Sequence, residues 1–348
     1  MPKPGPRLRL IDVAERAGVS LATASRALSG RDGVSEEVAR RVRQISRELG
    51  YVANPYARTL AGGASSTVGL IVHQVDDPYF SEIASGVIEV AAEEGLLVQI
   101  SHSGRDPDYE LRQLRHLIAQ RVGIILIAGS GYDDPRIEAE ARTELSAFQK
   151  LGGRVAVIGR HSLGVDAVMP DNEAGGRALA THLLELGHRR IAVAAGTAGL
   201  TTVADRLAGV SAALRQRDLS LDGLPVVHCD FTRDGGRVAA EQILRDHPET
   251  TAIIALNDAM AIGVLSTLRA HRIPVPDRIS VVGFDDVSVA ADLAPSLTTV
   301  RLPMTDMGRM ALTLALKPRS VRPRRRPTGH TLVVRDSTGP ALRLPAGG

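Results

Sequence analysis

The sequence has no tryptophan and a single cysteine, Cys229, in 348 residues. One cysteine excludes an intrachain disulfide and any zinc site built from clustered thiolates. Aromatic residues make up only 3%, four Phe and five Tyr, and no stripe interleaves them with basic residues as an RNA-stacking surface would. No apolar run reaches 18 residues, so no membrane-spanning helix is expected. The opening residues MPKPGPRLRL are charged and proline-rich without an apolar core, so no secretory leader is expected and the anticipated location is the cytoplasm. Catalytic signatures are missing too: there is no GxxxxGK[ST] phosphate loop, no HExxH and no GxSxG elbow. The histidines do not pair at metal-ligand spacing; His182 and His188 lie six apart, and His188 reads as a packing or capping residue. No catalytic residue, metal or cofactor is therefore assigned.

What remains is ordinary globular material, 44% hydrophobic and 23% charged. At ~150 residues per domain the length suggests two to three domains. The net charge of +3 conceals an uneven distribution. Residues 1–66 carry 11 Lys/Arg against 6 Asp/Glu, residues 67–316 carry 23 against 32, and residues 317–348 carry 8 against 1. A basic head on an acidic body points to a polyanionic partner for the head. The basic run PRSVRPRRRP at 318–327 reads as a solvated Pro/Arg loop.

The first 50 residues read as three short helices. Leu10, Val13, Ala14 and Ala17 share one helical face, Gly18 breaks that helix, and Val19 fills the turn. Ser20 suits the N-cap of a second helix over 20–28, with Ala24, Ala27 and Leu28 inward. Ser35 caps a third, striped by Val38, Val42, Ile45 and Leu49 and closed by Gly50. Two short helices around a glycine turn on a basic head outline a helix-turn-helix. Residues 51–66 read as a linker. After Asn54-Pro55, Tyr56 to Leu60 can make little more than one turn of helix before Gly62-Gly63, too short to stand alone in water.

From residue 67 apolar strands alternate with helices. Strands are expected near Val68, Leu96, Gly123 and Arg154, then near Arg190, Leu224, Thr251 and Ile279. Near-continuous Val/Ile/Leu runs mark strands buried on both faces, hence parallel sheets. The fold class is α/β, with an all-α head and two doubly wound halves enclosing a cleft. Ligands in such sheets sit beyond the carboxyl ends of the strands. At those ends stand Asp76-Asp77-Pro78-Tyr79-Phe80, Arg160, Arg206, Phe231, Asn257-Asp258 and Asp285-Asp286. Carboxylates, an amide and guanidinium groups suit a polyhydroxylated ligand, and Arg206 and Asp285 are expected to converge across the cleft. Asp258 and Asp286 equally suit N-caps, and Gly129-Ser130-Gly131 reads as a plain strand-to-helix turn.

Taken in order, IDVAERAGVSLATASRALSG, VSEEVARRVRQISRELGYVANPYARTL, DDPYF, LLELGHRRIAV, DRLAGVSAAL, NDAMAIGVLSTL, RISVVGFDD and LTTVRLP resemble the LacI family of bacterial transcription regulators over roughly residues 7–340. The resemblance implies a homodimer whose heads read a near-palindromic double-stranded DNA operator, and a body shaped like periplasmic sugar-binding proteins. It implies a helix-turn-helix domain over 1–52, a hinge helix and linker over 53–66, and a core over 67–340. That core would consist of one half at about 67–166 plus 298–326 and another at about 167–295 plus 330–340. Carried over residue by residue, Leu21, Ala22 and Arg26 would face base edges, while Ser20, Thr23 and Ser25 would face phosphates. Asn54 would lie near the DNA backbone, and Leu60 would be the wedge that enters the minor groove. Asp77, Tyr79, Phe80, Arg160, Arg206, Phe231, Asn257 and Asp285 would contact a small effector, a sugar or sugar derivative. Three departures stand out. Arg9 replaces the usual threonine cap of the first helix, Gly159 stands where some sugar-binding members carry an acid, and no tryptophan is available to stack on a ring.

The leading expectation is a dimeric repressor of carbohydrate-metabolism genes, released by a sugar-like inducer and located with the nucleoid. A corepressor-dependent regulator of non-sugar metabolism uses the same architecture, and a solute-binding protein is the remote alternative.

Overall fold

A computed structural model of the chain describes residues 8–29, 32–51 and 65–342. Two compact units divide it, Met1–Ser66 and Thr67–Gly348. Asn54 and Leu60 lie outside the described residues.

In the first unit, small side chains set the packing. Helices α1 (Leu10–Ala17), α2 (Leu21–Ser29) and α3 (Glu36–Glu48) bury Val13, Ala14, Ala17, Ala24, Ala27 and Val42 in one cluster, with Leu10, Leu28, Val38, Ile45 and Leu49 around it. Gly18 ends α1 at φ 64°, a left-handed conformation costing a side-chain-bearing residue roughly 1–2 kcal/mol. Ser20 Oγ accepts from Thr23 N at 3.1 Å and Ser35 Oγ from Val38 N at 3.4 Å, the two expected caps. The first helix is capped from within. Asp12 reaches back and accepts the Arg9 N–H at 2.6 Å, the acidic half of a capping box, and its charge in the first turn favours the helix dipole although no hydroxyl caps the helix.

The second unit holds β1 (Thr67–Val72), α4 (Pro78–Glu93), β2 (Leu97–His102), α5 (Pro107–Ala119), β3 (Ile124–Ala128), α6 (Ala139–Lys150), β4 (Arg154–Ile158) and β5 (Asp166–Met169). There follow α7 (Asn172–Glu185), β6 (Ile191–Ala194), α8 (Thr201–Arg215), β7 (Val226–Val227), α9 (Arg233–Asp246), β8 (Ala252–Ala255), α10 (Asp258–Ala270) and β9 (Ser280–Val282). The chain ends with β10 (Thr299–Arg301), α11 (Met304–Leu316), β11 (Arg325–Pro327) and β12 (Thr331–Val333).

The first sheet runs β11-β5-β4-β3-β1-β2 and the second β7-β6-β8-β9, all parallel. β3 and β8 are buried along their whole length, as strands covered by helices on both faces must be. Parallel pairing is not universal, however. β10 and β12 form an antiparallel pair, with Thr299 opposite Val333. Nor do the halves divide where the sequence suggested. Residues 167–169, expected in the second half, pair in the first sheet as part of β5, while Thr298 and Arg301 bridge to Val282 and Asp285 beside the second sheet. Pairing with a preformed neighbour outweighs the weak propensity of these three- and four-residue strands.

The second half owes one close packing to glycine. Helices α7 and α8 touch backbone to backbone: a Cβ on Gly176 would fall on the Arg206 carbonyl, and one on Gly209 on the Glu173 carbonyl. That seam fixes the helix carrying Arg206.

Candidate functional site

The head presents one face of α2. Ala24 and Ala27 are buried, so the opposite side exposes Ser20, Leu21, Ala22 and Arg26, with Thr23 and Ser25 half-buried. Leu21 is 50% exposed, costly for an apolar side chain unless something covers it. Ser20 and Thr23 hydroxyls lie 2.8 Å apart. They are therefore engaged in the cap as well as placed at the helix N-terminus, where backbone N–H groups favour an anion. The structure brings together all six head residues singled out within the described range.

In the second unit the carboxyl ends of the two sheets face each other. Asp77, Tyr79, Phe80, Arg206, Phe231, Asn257 and Asp285 line one chamber between them. Its free volume is about 40 Å³, room for a few waters. It adjoins a wider mouth of about 330 Å³ that shares Asp77, Phe231 and Asp285 and adds Gln74, Thr232 and Arg233.

Arg206 is the anchor. Its Nε donates to Asn172 Oδ1 at 2.9 Å, Nη1 to the Leu256 carbonyl, and Nη2 to Asp285 Oδ1 at 3.0 Å. The guanidinium carbon sits over the Phe284 ring, 3.6 Å from its centroid. The two charges do converge, but not across the cleft: α8 and the end of β9 belong to the same half. Asp285 holds φ 116°, a strained backbone for a non-glycine residue that turns its carboxyl inward. Burial pushes that carboxyl well above the usual range, and Arg206 opposes the shift.

Asn257 caps α10 by accepting from Met260 N at 2.8 Å. Asp258 and Asp286 are not caps. Asp258 is buried inside α10, where Val287 N and Thr299 Oγ1 donate to it at 2.9 and 2.6 Å, and burial lifts it to about 7. Asp286 instead pairs with Arg301 and Arg335 at 2.6 and 2.7 Å.

The first half supplies Asp77, which caps α4 by accepting from Tyr79 N at 3.1 Å and is raised by burial. It also supplies two residues that the sequence reading missed. Arg105, at φ 62°, donates to Gln74 at 2.6 Å and faces Phe231 of the other half at 5.2 Å. Buried His73 is held down to about 3, first by desolvation and then by Arg105, and so stays neutral. Ser130 N donates to its Nε2 at 2.9 Å, which leaves Nδ1 to face Ser103 Oγ at 3.0 Å. Position after a strand is the signal both residues share with those identified.

Arg160 does not line the chamber. It pairs with Asp205 at 2.7 Å, on the flank where the halves are fastened together. There, Gly129-Ser130-Gly131 is more than a turn. Thr201 N donates to Gly131 O at 3.0 Å, Thr202 N to Ser130 Oγ at 2.9 Å, and Thr201 Oγ1 to Arg160 O at 2.8 Å. Behind this loop, His161 meets Glu138 at 2.6 Å. Glu110 is buried with an unpartnered Oε2 and is raised to about 7 by burial. Among the described residues no group of His, Cys, Asp and Glu is placed to hold a metal, and no helix is long and apolar enough to cross a membrane.

A helix-turn-helix head joined to a two-half sensor body defines a ligand-responsive DNA-binding regulator, and comparison with known proteins agrees. Residues 9–54 match the model for bacterial regulatory proteins of the lacI family, and residues 180–338 a periplasmic binding protein-like domain. The chain is 31% identical over 305 residues to the HTH-type transcriptional regulator DegA of Bacillus subtilis (strain 168), covering 86% of this chain and 88% of DegA. Among solved structures, the CelR-cellobiose complex shares 31% identity with a TM-score of 0.70 over 95% of this chain and all of that one. The Lac repressor bound to ONPG in the repressed state shares 26% with a TM-score of 0.81, over 96% of this chain and all of the other. The chain belongs to the LacI family. It is a transcriptional regulator, not an enzyme.

Proposed function

We propose that the protein is a homodimeric repressor of carbohydrate-metabolism genes, located in the cytoplasm with the nucleoid, whose cleft takes a sugar or sugar derivative that releases the operator. The observation that carries the effector assignment is the Arg206 cluster. Its guanidinium is oriented by Asn172, Leu256 O and Asp285, beside the Phe231 ring. Adjacent hydroxyls of a sugar pair naturally with such alternating donors and acceptors, while the ring covers an apolar face. The lining also balances Asp77 and Asp285 against Arg105 and Arg206, which favours a neutral ligand over a net anion. The cellobiose-bound CelR structure supports the sugar class.

In this reading Leu21, Ala22 and Arg26 meet base edges and Ser20, Thr23 and Ser25 meet phosphates. Asn54 and Leu60 serve in the hinge, Leu60 as the minor-groove wedge. A ligand acts only through its different affinities for the open and closed cleft. The chamber's 40 Å³ requires the walls to part, or Arg105 to move, before a sugar enters.

The test is to select operators from genomic fragments, then screen neutral sugars by thermal shift and follow operator binding by anisotropy. The expected result is one sugar class that raises Tm and weakens operator binding at least tenfold. A ligand that strengthens operator binding would establish the corepressor reading instead. Stabilisation by purines or organic acids alone would overturn the sugar assignment.

A further inference from the structure

One motif remains outside this function, the basic run over 318–327, which Lys317 precedes. In the first sheet every strand is parallel, so all amino ends lie along one edge, opposite the cleft. That edge begins with Thr67, where the chain arrives from the head. It also carries Arg154 at the start of β4, Lys317 at the end of α11, and the loop leading into β11.

The loop is a fixed platform. Arg324 N and Nε donate to the two Asp166 carboxylate oxygens at 2.7 and 3.0 Å, and its Nη2 closes the loop onto Pro318 O at 2.9 Å. Arg154 donates to Leu316 O at 3.1 Å. Prolines 318 and 323 stiffen it further. From that platform Lys317, Arg319 and Arg322 are exposed, and none has an ion pair among the described residues. Arg115, Arg160 and Arg309 on the same unit, by contrast, are each paired with two acids. Protecting the sheet edge accounts for Arg325 and Arg326 on β11, but not for three cations displayed on a loop. Glu93 and Glu94 stand at the far, β2 side of the same edge, and exposed Arg121 leads into β3, so the positive charge lies toward the β3-β4-β5-β11 side.

We propose that this loop is a second DNA-contacting surface, binding phosphates of the duplex that flanks the operator. Charge and chain continuity choose the partner. Residues 52–64 extend to no more than ~45 Å, and β11 lies four strand spacings from β1, roughly 20 Å. Duplex held by the head therefore stays within tether reach of the body, and a short tether gives an effective concentration near the millimolar range. Lys and Arg on phosphates supply affinity without sequence preference.

The test compares full-length wild type with Lys317→Ser/Arg319→Ser/Arg322→Ser on two duplexes: the bare operator, and the operator with ~20 extra base pairs on each side. Log Kd is measured against log salt. Wild type should bind the long duplex with a slope steeper by about 2–3 per loop engaged, at 0.9 per phosphate neutralised, and about tenfold more tightly at 0.1 M salt. The variant should lose both differences while matching wild type on the bare operator. Equal slopes for wild type on both duplexes would overturn the proposal, and so would an equal loss by the variant on both. Binding of wild type to structured RNA without any gain from flanking DNA would likewise overturn it. Arg319→Lys/Arg322→Lys should keep the long-duplex slope, which separates charge from any effect on loop folding.

Discussion

On α2 the residues proposed to meet DNA are exposed or half-buried, whereas the residues lining the cleft are largely buried and hydrogen-bonded into the fold. Leu21 is half exposed, while Arg206 and Asp285 are 3% and 4% exposed. The α2 face is built largely of alanine and serine, with Ser20 and Thr23 already joined in the cap. The cleft is preorganised: its donors and acceptors are held by Asn172, Leu256 O and the caps of α4 and α10 before any ligand binds. Substitutions should therefore act locally on α2 and cooperatively in the cleft.

The sharpest test of that contrast is Arg206→Ala. It leaves Asp285 buried without its partner, so a stability loss of about 3–5 kcal/mol is expected, together with at least a hundredfold loss of effector affinity. Operator binding by the folded fraction should stay near normal. Calorimetry and anisotropy check both, and a variant that still responds to effector removes Arg206 from the site.

Next comes acidity. Glu110 and Asp258 are each raised to about 7 by burial. A raised carboxyl binds its proton more tightly in the folded state, so stability falls as pH rises from about 4.5 toward 7. For Glu110 the fall is of order 3 kcal/mol. Glu110→Gln should flatten that part of the urea-midpoint profile between pH 5 and 7.5. An unchanged slope would show that the carboxyl is not the titrating group.

On the head, Arg26→Ala should cost about 1–3 kcal/mol and relax preference at one base position per half-site. A loss spread evenly over all operator variants would make Arg26 a phosphate contact. The smallest effect is expected at Arg105, whose contact to Phe231 is loose at 5.2 Å. Arg105→Ala should weaken effector binding by tenfold or less, within the range of an exposed-to-desolvated cation–π contact, with the response retained.

Much of this was readable beforehand because most strands of the two parallel sheets are apolar runs, and position after a strand is a local property. Asp77, Arg206, Phe231, Asn257 and Asp285 were found that way. β11, with the sequence RRP, was not: its strand character comes from β5 beside it rather than from its own residues. His73 ends an apolar run, and nothing in its spacing singles it out. Arg105 gains its meaning from Phe231 in the other half, and Arg160 loses its place in the chamber to Asp205. Both depend on long-range pairing that no spacing encodes.

The seam between α7 and α8 has a mechanical consequence. With carbonyls pressed against glycines, the two helices cannot slide and must tilt as one rod. Arg206 rides on that rod, and its Nε grips Asn172, the first residue after the crossing from β5. Asp171, next to it, holds His330 at 2.7 Å on the last crossing between the halves. Arg206 is thus tied, through the adjacent residues Asn172 and Asp171, to two of the crossings between the halves, so a change at the guanidinium is one residue away from the chain that joins them.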